Sequence, residues 1–179
     1  MKKYILLFGC ILNTILAFSQ EKKTWFDAAR TGTLAEIQGL YKDDTKLINS
    51  VNTEGFSALI LSTYKKNNSV AKFLIENGAD INENTKMGSP LMAAVVKGNN
   101  EIALLLIKNK ADVNSVDVNG TTALIYATMF KNYELVNELV KNGADVDAKD
   151  NRKNSAIDYA LLANDDKLME LLKNKNKKL

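Results

Sequence analysis

Oxygen-bearing side chains stand at every second position in the segment GADINEN, residues 78–84. Asp80, Asn82 and Asn84 would be the first, third and fifth ligands of a calcium loop of the EF-hand type. Such a loop also needs Gly at its sixth position and a bidentate Glu at its twelfth, where this sequence has Thr85 and Leu91. Because both residues are missing, we expect a backbone turn at this segment and no metal site.

Two Ser-x-x-Lys pairs, Ser62 with Lys65 and Ser69 with Lys72, have the spacing of a serine nucleophile and its lysine base. The companion Ser-Asp-Asn and Lys-Thr-Gly motifs are absent, and no glycine-rich phosphate loop is present. The chain also has no histidine, which excludes Ser-His-Asp and Cys-His nucleophilic sites and every zinc site that uses His. We therefore expect no catalysis, no metal and no cofactor.

The first residues, MKKYILLFGCILNTILAFSQ, have the layout of a secretory signal peptide. Two lysines precede an apolar stretch, and small residues precede a cleavage point between Ser19 and Gln20. This predicts a signal peptide at 1–19, a mature chain at 20–179, and a periplasmic or secreted location. An uncleaved membrane anchor and a lipoprotein cysteine at Cys10 are the alternatives. The mass of the mature N-terminus distinguishes them.

The charge of the chain does not favour nucleic acid as a partner. Lys and Arg number 24 against 21 Asp and Glu, and Lys2 and Lys3 belong to the predicted signal peptide. The mature chain would have 22 basic against 21 acidic residues, a net charge near +1. Its hydrophobic content of 46% is typical of a folded domain. Because Cys10 is the only cysteine, the mature chain must be stabilised by packing and not by disulfides.

Two phrases recur along the chain in the same register. One phrase appears as NGADIN, NKADVN and NGADVD, with its alanines at Ala79, Ala111 and Ala144. The other appears as SALI, SPLM, TALI and SAID, beginning at Ser57, Ser89, Thr122 and Ser155. Two phrases that share one period of about 33 residues predict an array of stacked structural repeats.

Each phrase predicts part of a helix pair. The Ser or Thr that opens the second phrase is a helix N-cap, and the helix that follows carries matching core positions at Leu59, Leu91, Leu124 and Ile157. A break and a second helix follow. Gly78 and Gly143 end that second helix in the left-handed conformation, where the third copy has Lys110 at a cost of about 1 kcal/mol. The Asp and Asn residues beyond suit a tight turn into the next unit.

With these motifs the chain resembles the ankyrin-repeat family, whose helix start is Thr-Pro-Leu-His and whose unit ends in Gly-Ala-Asp-Val-Asn. The resemblance covers residues 24–174 and implies an all-α solenoid of about five helix-turn-helix units with short hairpin-like fingers. The first unit lacks the helix-start phrase, and the last is shortened. The units are 25–52, 53–84, 85–116, 117–149 and 150–173.

The resemblance also implies where a partner binds, because ankyrin partners contact the finger tips and the inner helices, which form a concave groove. The third unit has one residue fewer before Ser89, so its finger should be reshaped. Some of the apolar residues could instead pack between neighbouring helices. Carried over to this sequence, the partner-binding residues are Phe56, Tyr64, Lys65, Lys86, Val96, Asn119, Met129, Phe130 and Arg152.

The expected function is therefore that of an exported, non-catalytic module that binds a partner protein as a monomer. Resemblance to exported bacterial ankyrin proteins implies support of a periplasmic enzyme such as a catalase under stress. Neutralisation of a toxin and a membrane-tethered adaptor with an uncleaved N-terminus are the alternatives. A neighbouring catalase or toxin gene would distinguish the first two, and a polar cluster in a deep pocket would favour an enzyme.

Overall fold

The computed structural model of the protein describes residues 23–86 and 88–173. The predicted signal peptide, Met87 and residues 174–179 lie outside the described residues. Within them the chain forms ten α-helices and a short 3-10 helix, with no β-strand apart from isolated bridges. Among these helices, none combines the length and apolar character that a membrane crossing requires.

The helices are short and come in pairs along the chain. The first unit also contains the 3-10 helix Thr45–Asn49. The ten α-helices are α1 (Trp25–Thr31), α2 (Leu34–Asp43), α3 (Ala58–Tyr64), α4 (Asn68–Glu76), α5 (Pro90–Val96), α6 (Asn100–Lys108), α7 (Ala123–Met129), α8 (Tyr133–Lys141), α9 (Ala156–Leu162) and α10 (Asp166–Lys173).

The helices stack in two rows. The inner row is α1, α3, α5, α7 and α9, and each of these helices packs on the next. The outer row is α2, α4, α6, α8 and α10, packed in the same order, and each outer helix packs on its inner partner. This is the predicted all-α solenoid of five helix pairs, and the fold class is confirmed.

Each inner helix begins at a hydroxyl side chain that accepts a hydrogen bond from a backbone N–H in the first turn, as the sequence predicts for Ser57, Ser89, Thr122 and Ser155. The first inner helix has the same start. Thr24 lies one repeat period before Ser57 and forms a capping box with Asp27. The first unit lacks the recurring phrase but still has a helix start, whose signal is Thr24-x-x-Asp27.

The outer helices α4, α6, α8 and α10 each have a buried leucine at the equivalent position: Leu74, Leu106, Leu139 and Leu172. The matching inner positions Leu59, Leu91 and Leu124 are fully buried as well. The prediction of a core position at Ile157 is wrong in degree, because Ile157 is only half-buried. Its helix, α9, is the last of the inner row. Within the described residues, no further inner helix covers the side of α9 that faces away from α7.

The GADINEN segment connects neighbouring units through hydrogen bonds. Asp80 accepts a hydrogen bond from the amide of Asn82 at 2.9 Å, which closes a turn. The side-chain oxygen of Asn82 then accepts the amide of Asp112 in the next unit at 2.8 Å. Asn49 and Asn114 accept the amides of Asp80 and Asp145 in the same way. The turn interpretation of this segment is confirmed.

The fingers that precede α7 and α9 are tight hairpins organised by an Asp side chain. Asp117 accepts the amides of Asn119 and Thr121 at 2.8 and 2.9 Å. Asp150 accepts two amides of its own finger with the same spacing. The finger before α5 is shorter, as predicted, because its closing hydrogen bonds join Thr85 and Gly88, three residues apart, whereas the others join residues four apart.

Candidate functional site

The inner helices and the fingers enclose a groove that contains three depressions in sequence. The first, of about 380 Å³, is lined by Phe56 and Tyr64 among others. The second, of about 210 Å³, shares Tyr64 with the first and Tyr126 with the third. The third measures about 200 Å³ and reaches Tyr159 in the last unit. Because neighbouring depressions share lining residues, they form one continuous surface, which we call the groove.

The structure brings eight of the nine predicted binding residues to this groove. Phe130 alone lines none of the three depressions; its ring is 54% exposed and stacks on Tyr126, with ring centroids 6.2 Å apart. Whether a partner contacts these residues stays a prediction. The predicted residues that line the groove are Phe56, Tyr64 and Lys65 in the first depression, Tyr64, Lys86, Val96 and Asn119 in the second, and Asn119, Met129 and Arg152 in the third.

An apolar row runs along the ends of the inner helices, at the position seven residues after each N-cap. Its members are Tyr64, Val96, Met129 and Leu162. Tyr64 is half-buried, whereas Val96 is 38% exposed, Met129 44% and Leu162 75%. Phe56 packs against the core, so the alternative of packing between helices applies to Phe56 more than to Val96 or Met129. Leu162 occupies the corresponding groove position of the fifth unit, which the resemblance to ankyrin repeats also implies.

Two Tyr–Asp pairs join the inner helices to the fingers. The hydroxyl of Tyr126 donates to Asp117 at 2.7 Å, and that of Tyr159 donates to Asp150 at 2.6 Å. Partial burial opposes the ionisation of Asp117, but the hydrogen bonds from Tyr126 and the finger amides outweigh it, so the pKa of Asp117 lies below its ordinary value. Neither tyrosine was predicted at the site; the signal was the nine-residue Asp-to-Tyr spacing in two consecutive units.

Positive side chains are distributed along the groove. The Lys97 Nζ lies 3.7 Å from the centroid of the Tyr64 ring, a cation–π contact, and its hydrogen bond and charge lower the pKa of the Tyr64 hydroxyl. Arg30 pairs with Glu54 at 3.2 Å. Within the described part of the chain, no carboxylate forms a salt bridge with Lys65 or Lys86.

Three of the four residues whose spacing suggested catalysis form other contacts. The buried Ser62 hydroxyl donates to the carbonyl of Leu59 at 3.0 Å, and the Ser69 hydroxyl donates to Asn67 at 3.3 Å. Lys72 forms a salt bridge with Glu101 on the next outer helix. Across residues 23–86 and 88–173, no three His, Cys, Asp or Glu side chains are grouped so that they could hold a metal ion.

One carboxylate has a strongly shifted pKa. The pKa of Glu83 is raised to about 7, mainly by burial. The hydrogen bond from Ser57 lowers this pKa, and the negative charge of Asp80 raises it further. The Ser57 hydroxyl donates to Glu83 and also accepts the amide of Ile60 at 3.2 Å, as the cap of α3. Glu83 lies outside the three depressions, where it joins the turn after α4 to the start of α3.

The Glu83 carboxyl predicts a pH-dependent stability. Its pKa is higher in the folded chain than the ordinary 4.5, so its contribution is fully present below about pH 4.5 and is lost as the pH rises through about 7. We expect Glu83→Gln to raise the free energy of unfolding by roughly 1–2 kcal/mol at pH 8, discounted for partial exposure, and to have less effect at pH 5. Urea unfolding at both pH values measures this. Glu76→Gln, at the exposed end of α4, is the control, and an equal gain in both variants would contradict the assignment.

Comparison with known families agrees with the two-row architecture. The family model described as ankyrin repeats (3 copies) matches residues 25–117 and again residues 91–179. No curated protein matches the chain. The two matches together span the five helix pairs, including the groove and its fingers. The helix pairs, the fingers and these matches agree in every unit, and the chain belongs to the ankyrin-repeat family.

Proposed function

We propose that this protein is a non-catalytic module that binds a partner protein through its groove. Ankyrin repeats generally mediate protein–protein interaction. The observation that carries the proposal is the apolar row, because Val96, Met129 and Leu162 leave large apolar side chains partly or mostly exposed at the same position of three successive units. Apolar and aromatic side chains in a concave setting are what interface hot spots favour.

The dimensions of the groove favour a macromolecular partner over a small ligand. Two of its three depressions, about 210 and 200 Å³, are below the roughly 300–1,000 Å³ of a typical small-molecule pocket, and the first, about 380 Å³, is near the lower limit. The three adjoin one another along all five inner helices. A partner that follows the groove can bury on the order of 1,600 Å² in total, the standard size of a specific interface.

We further propose that the protein acts in the periplasm or outside the cell after release of residues 1–19. The basic and apolar pattern of this segment supports export. The proposed role is support of a periplasmic enzyme such as a catalase, with toxin neutralisation as the second candidate. If cleavage does not occur, the same groove would serve a membrane-tethered adaptor. A monomer is sufficient for any of these roles, because each unit of the array contributes to the groove.

The binding prediction concerns the exposed apolar side chains. We expect the variant Val96→Ala, Met129→Ala, Leu162→Ala to weaken partner binding at least tenfold, because truncating an interface anchor costs more than about 1 kcal/mol. The partner is first captured from an extract of the source cells, identified and purified. Its dissociation constant is then measured by titration calorimetry with each variant.

The control for this variant is Leu34→Ala, at the start of the outer helix α2. Leu34 is 37% exposed, close to the 38% of Val96, but it belongs to the outer row. We expect Leu34→Ala to bind like the unchanged protein. Equal binding by both variants, with circular dichroism showing intact helices, would mean that the groove is not the binding surface.

A further inference from the structure

We propose that the occupant of the groove is an acidic, extended segment of the partner, with apolar residues at every third position. This inference rests on the proposed function, since it names the chemistry of what the groove binds. It follows from three features of the groove: the cations that face solvent, the carboxylates that are already hydrogen-bonded, and the spacing of the apolar row.

The cations of the groove are available to a ligand. Lys65, Lys86 and Arg152 are exposed, and within the described residues no salt bridge involves their side chains. They lie at the first, second and third depressions respectively, so positive charge is spread over the whole length of the groove. The planar guanidinium of Arg152 can bind a carboxylate with two hydrogen bonds, and the lysines act as point charges.

The carboxylates of the groove already have partners within the chain. Glu54 is paired with Arg30 at 3.2 Å. Asp117 and Asp150 each accept two finger amides and one tyrosine hydroxyl. A basic segment would compete with these donors for the carboxylate oxygens. The lining contains four cations and three carboxylates, and three of the cations form no salt bridge within the described residues, so the electrostatic selection favours acidic partners over basic ones.

The apolar row sets the spacing of the ligand. Packed helices lie about 8–10 Å apart, so the row from Tyr64 to Leu162 presents an apolar side chain at roughly that interval. A polyproline II segment has three residues per turn and advances about 3.1 Å per residue, which brings every third side chain to the same face about 9 Å apart. Apolar residues at that period can contact successive inner helices, and acidic residues between them can reach the cations.

The test uses a display library of random 12-residue peptides selected on the purified protein. We expect the enriched peptides to contain more Asp and Glu than the library, with apolar residues three positions apart. A groove variant carries Lys65→Glu, Lys86→Glu and Arg152→Glu. Fluorescence polarisation of the enriched peptides should show affinity reduced on the order of tenfold or more by this variant, and reduced by added salt.

The matched control makes the same change of net charge on the outer row. Lys42, Lys108 and Lys141 lie in the last turns of α2, α6 and α8, and their replacement by Glu should leave peptide binding unchanged. The alanine variant of Val96, Met129 and Leu162 separates the two proposals. Peptides that depend on those residues but are neutral or basic, or lack the three-residue period, would overturn the acidic extended occupant and leave groove binding intact. Failure to enrich any groove-dependent peptide would overturn both.

Discussion

Replacing Leu106 by alanine is expected to lower the free energy of unfolding by about 3–4 kcal/mol, and Leu172→Ala should act only on the last unit. Both leucines are buried at the same position of an outer helix, Leu106 in α6 and Leu172 in α10. Removing a buried leucine side chain costs its transfer free energy and that of the cavity left behind. In a stacked array each unit contacts only its neighbours, so position along the array decides how far the damage spreads.

The difference between the two variants is measured by hydrogen exchange in the native state. In Leu106→Ala, whose unit has a neighbour on each side, we expect the amides of α3 to α8 to lose protection together. In Leu172→Ala the loss should be confined to α9 and α10, which can open without the rest. A loss of protection in α3 to α6 as large in Leu172→Ala as in Leu106→Ala would show that the array unfolds as a single unit.

Replacing Gly88 by alanine is expected to cost about 3 kcal/mol, the largest effect of any single residue in the fingers. Gly88 has a φ of +89° and closes the short finger before α5 through its hydrogen bonds with Thr85. A side chain there requires a strained backbone, and its Cβ would collide with the sulfur of Met92, which is fully buried. The collision, not the backbone strain alone, accounts for the size of the effect.

Gly55→Ala is the control that separates these two causes. Gly55 has a φ of +84°, but an added Cβ would meet no atom within 4 Å. We expect it to cost about 1 kcal/mol, the backbone term alone. The difference in stability loss between Gly88→Ala and Gly55→Ala should disappear when Gly88→Ala is made in a Met92→Ala background. Equal stability losses from the two glycine replacements in the unchanged background would refute the proposed contact.

The sequence was sufficient to predict the structural features that depend on contacts between residues close together in the chain. The N-caps at Ser57, Ser89, Thr122 and Ser155 bind amides three residues away, so their positions predict where the inner helices begin. The positive φ of Gly78 and Gly143 follows from the end of each outer helix, and Lys110 adopts the same conformation at 69° without the freedom of glycine. These features repeat with the period of the chain, which is why the fold class could be predicted from two phrases.

The sequence predicted part of the candidate site. It specified the position of each residue within its unit, but not the contacts of that residue in the folded chain. Val96 and Met129 were predicted because the resemblance to ankyrin repeats assigns partner binding to the same position of each unit, and the structure places them in the groove. The same register reaches Leu162, but its exposure depends on the absence of a following inner helix within the described residues. Tyr126 and Tyr159 were missed because their role depends on a finger aspartate that lies nine residues earlier and is brought close by the turn into the helix.

By itself, then, the amino-acid sequence determined the repeat, the caps, the turns and the family, because each depends on contacts within a few residues or on a pattern that recurs once in every unit. The tertiary structure alone decided what each turn contacts. The Asn82 side chain binds an amide 30 residues away in the next unit. Glu83 is half-buried against a helix start 26 residues earlier, and this burial raises its pKa to about 7. Burial and charge environment come from the stacking of units, and no spacing within one unit specifies them.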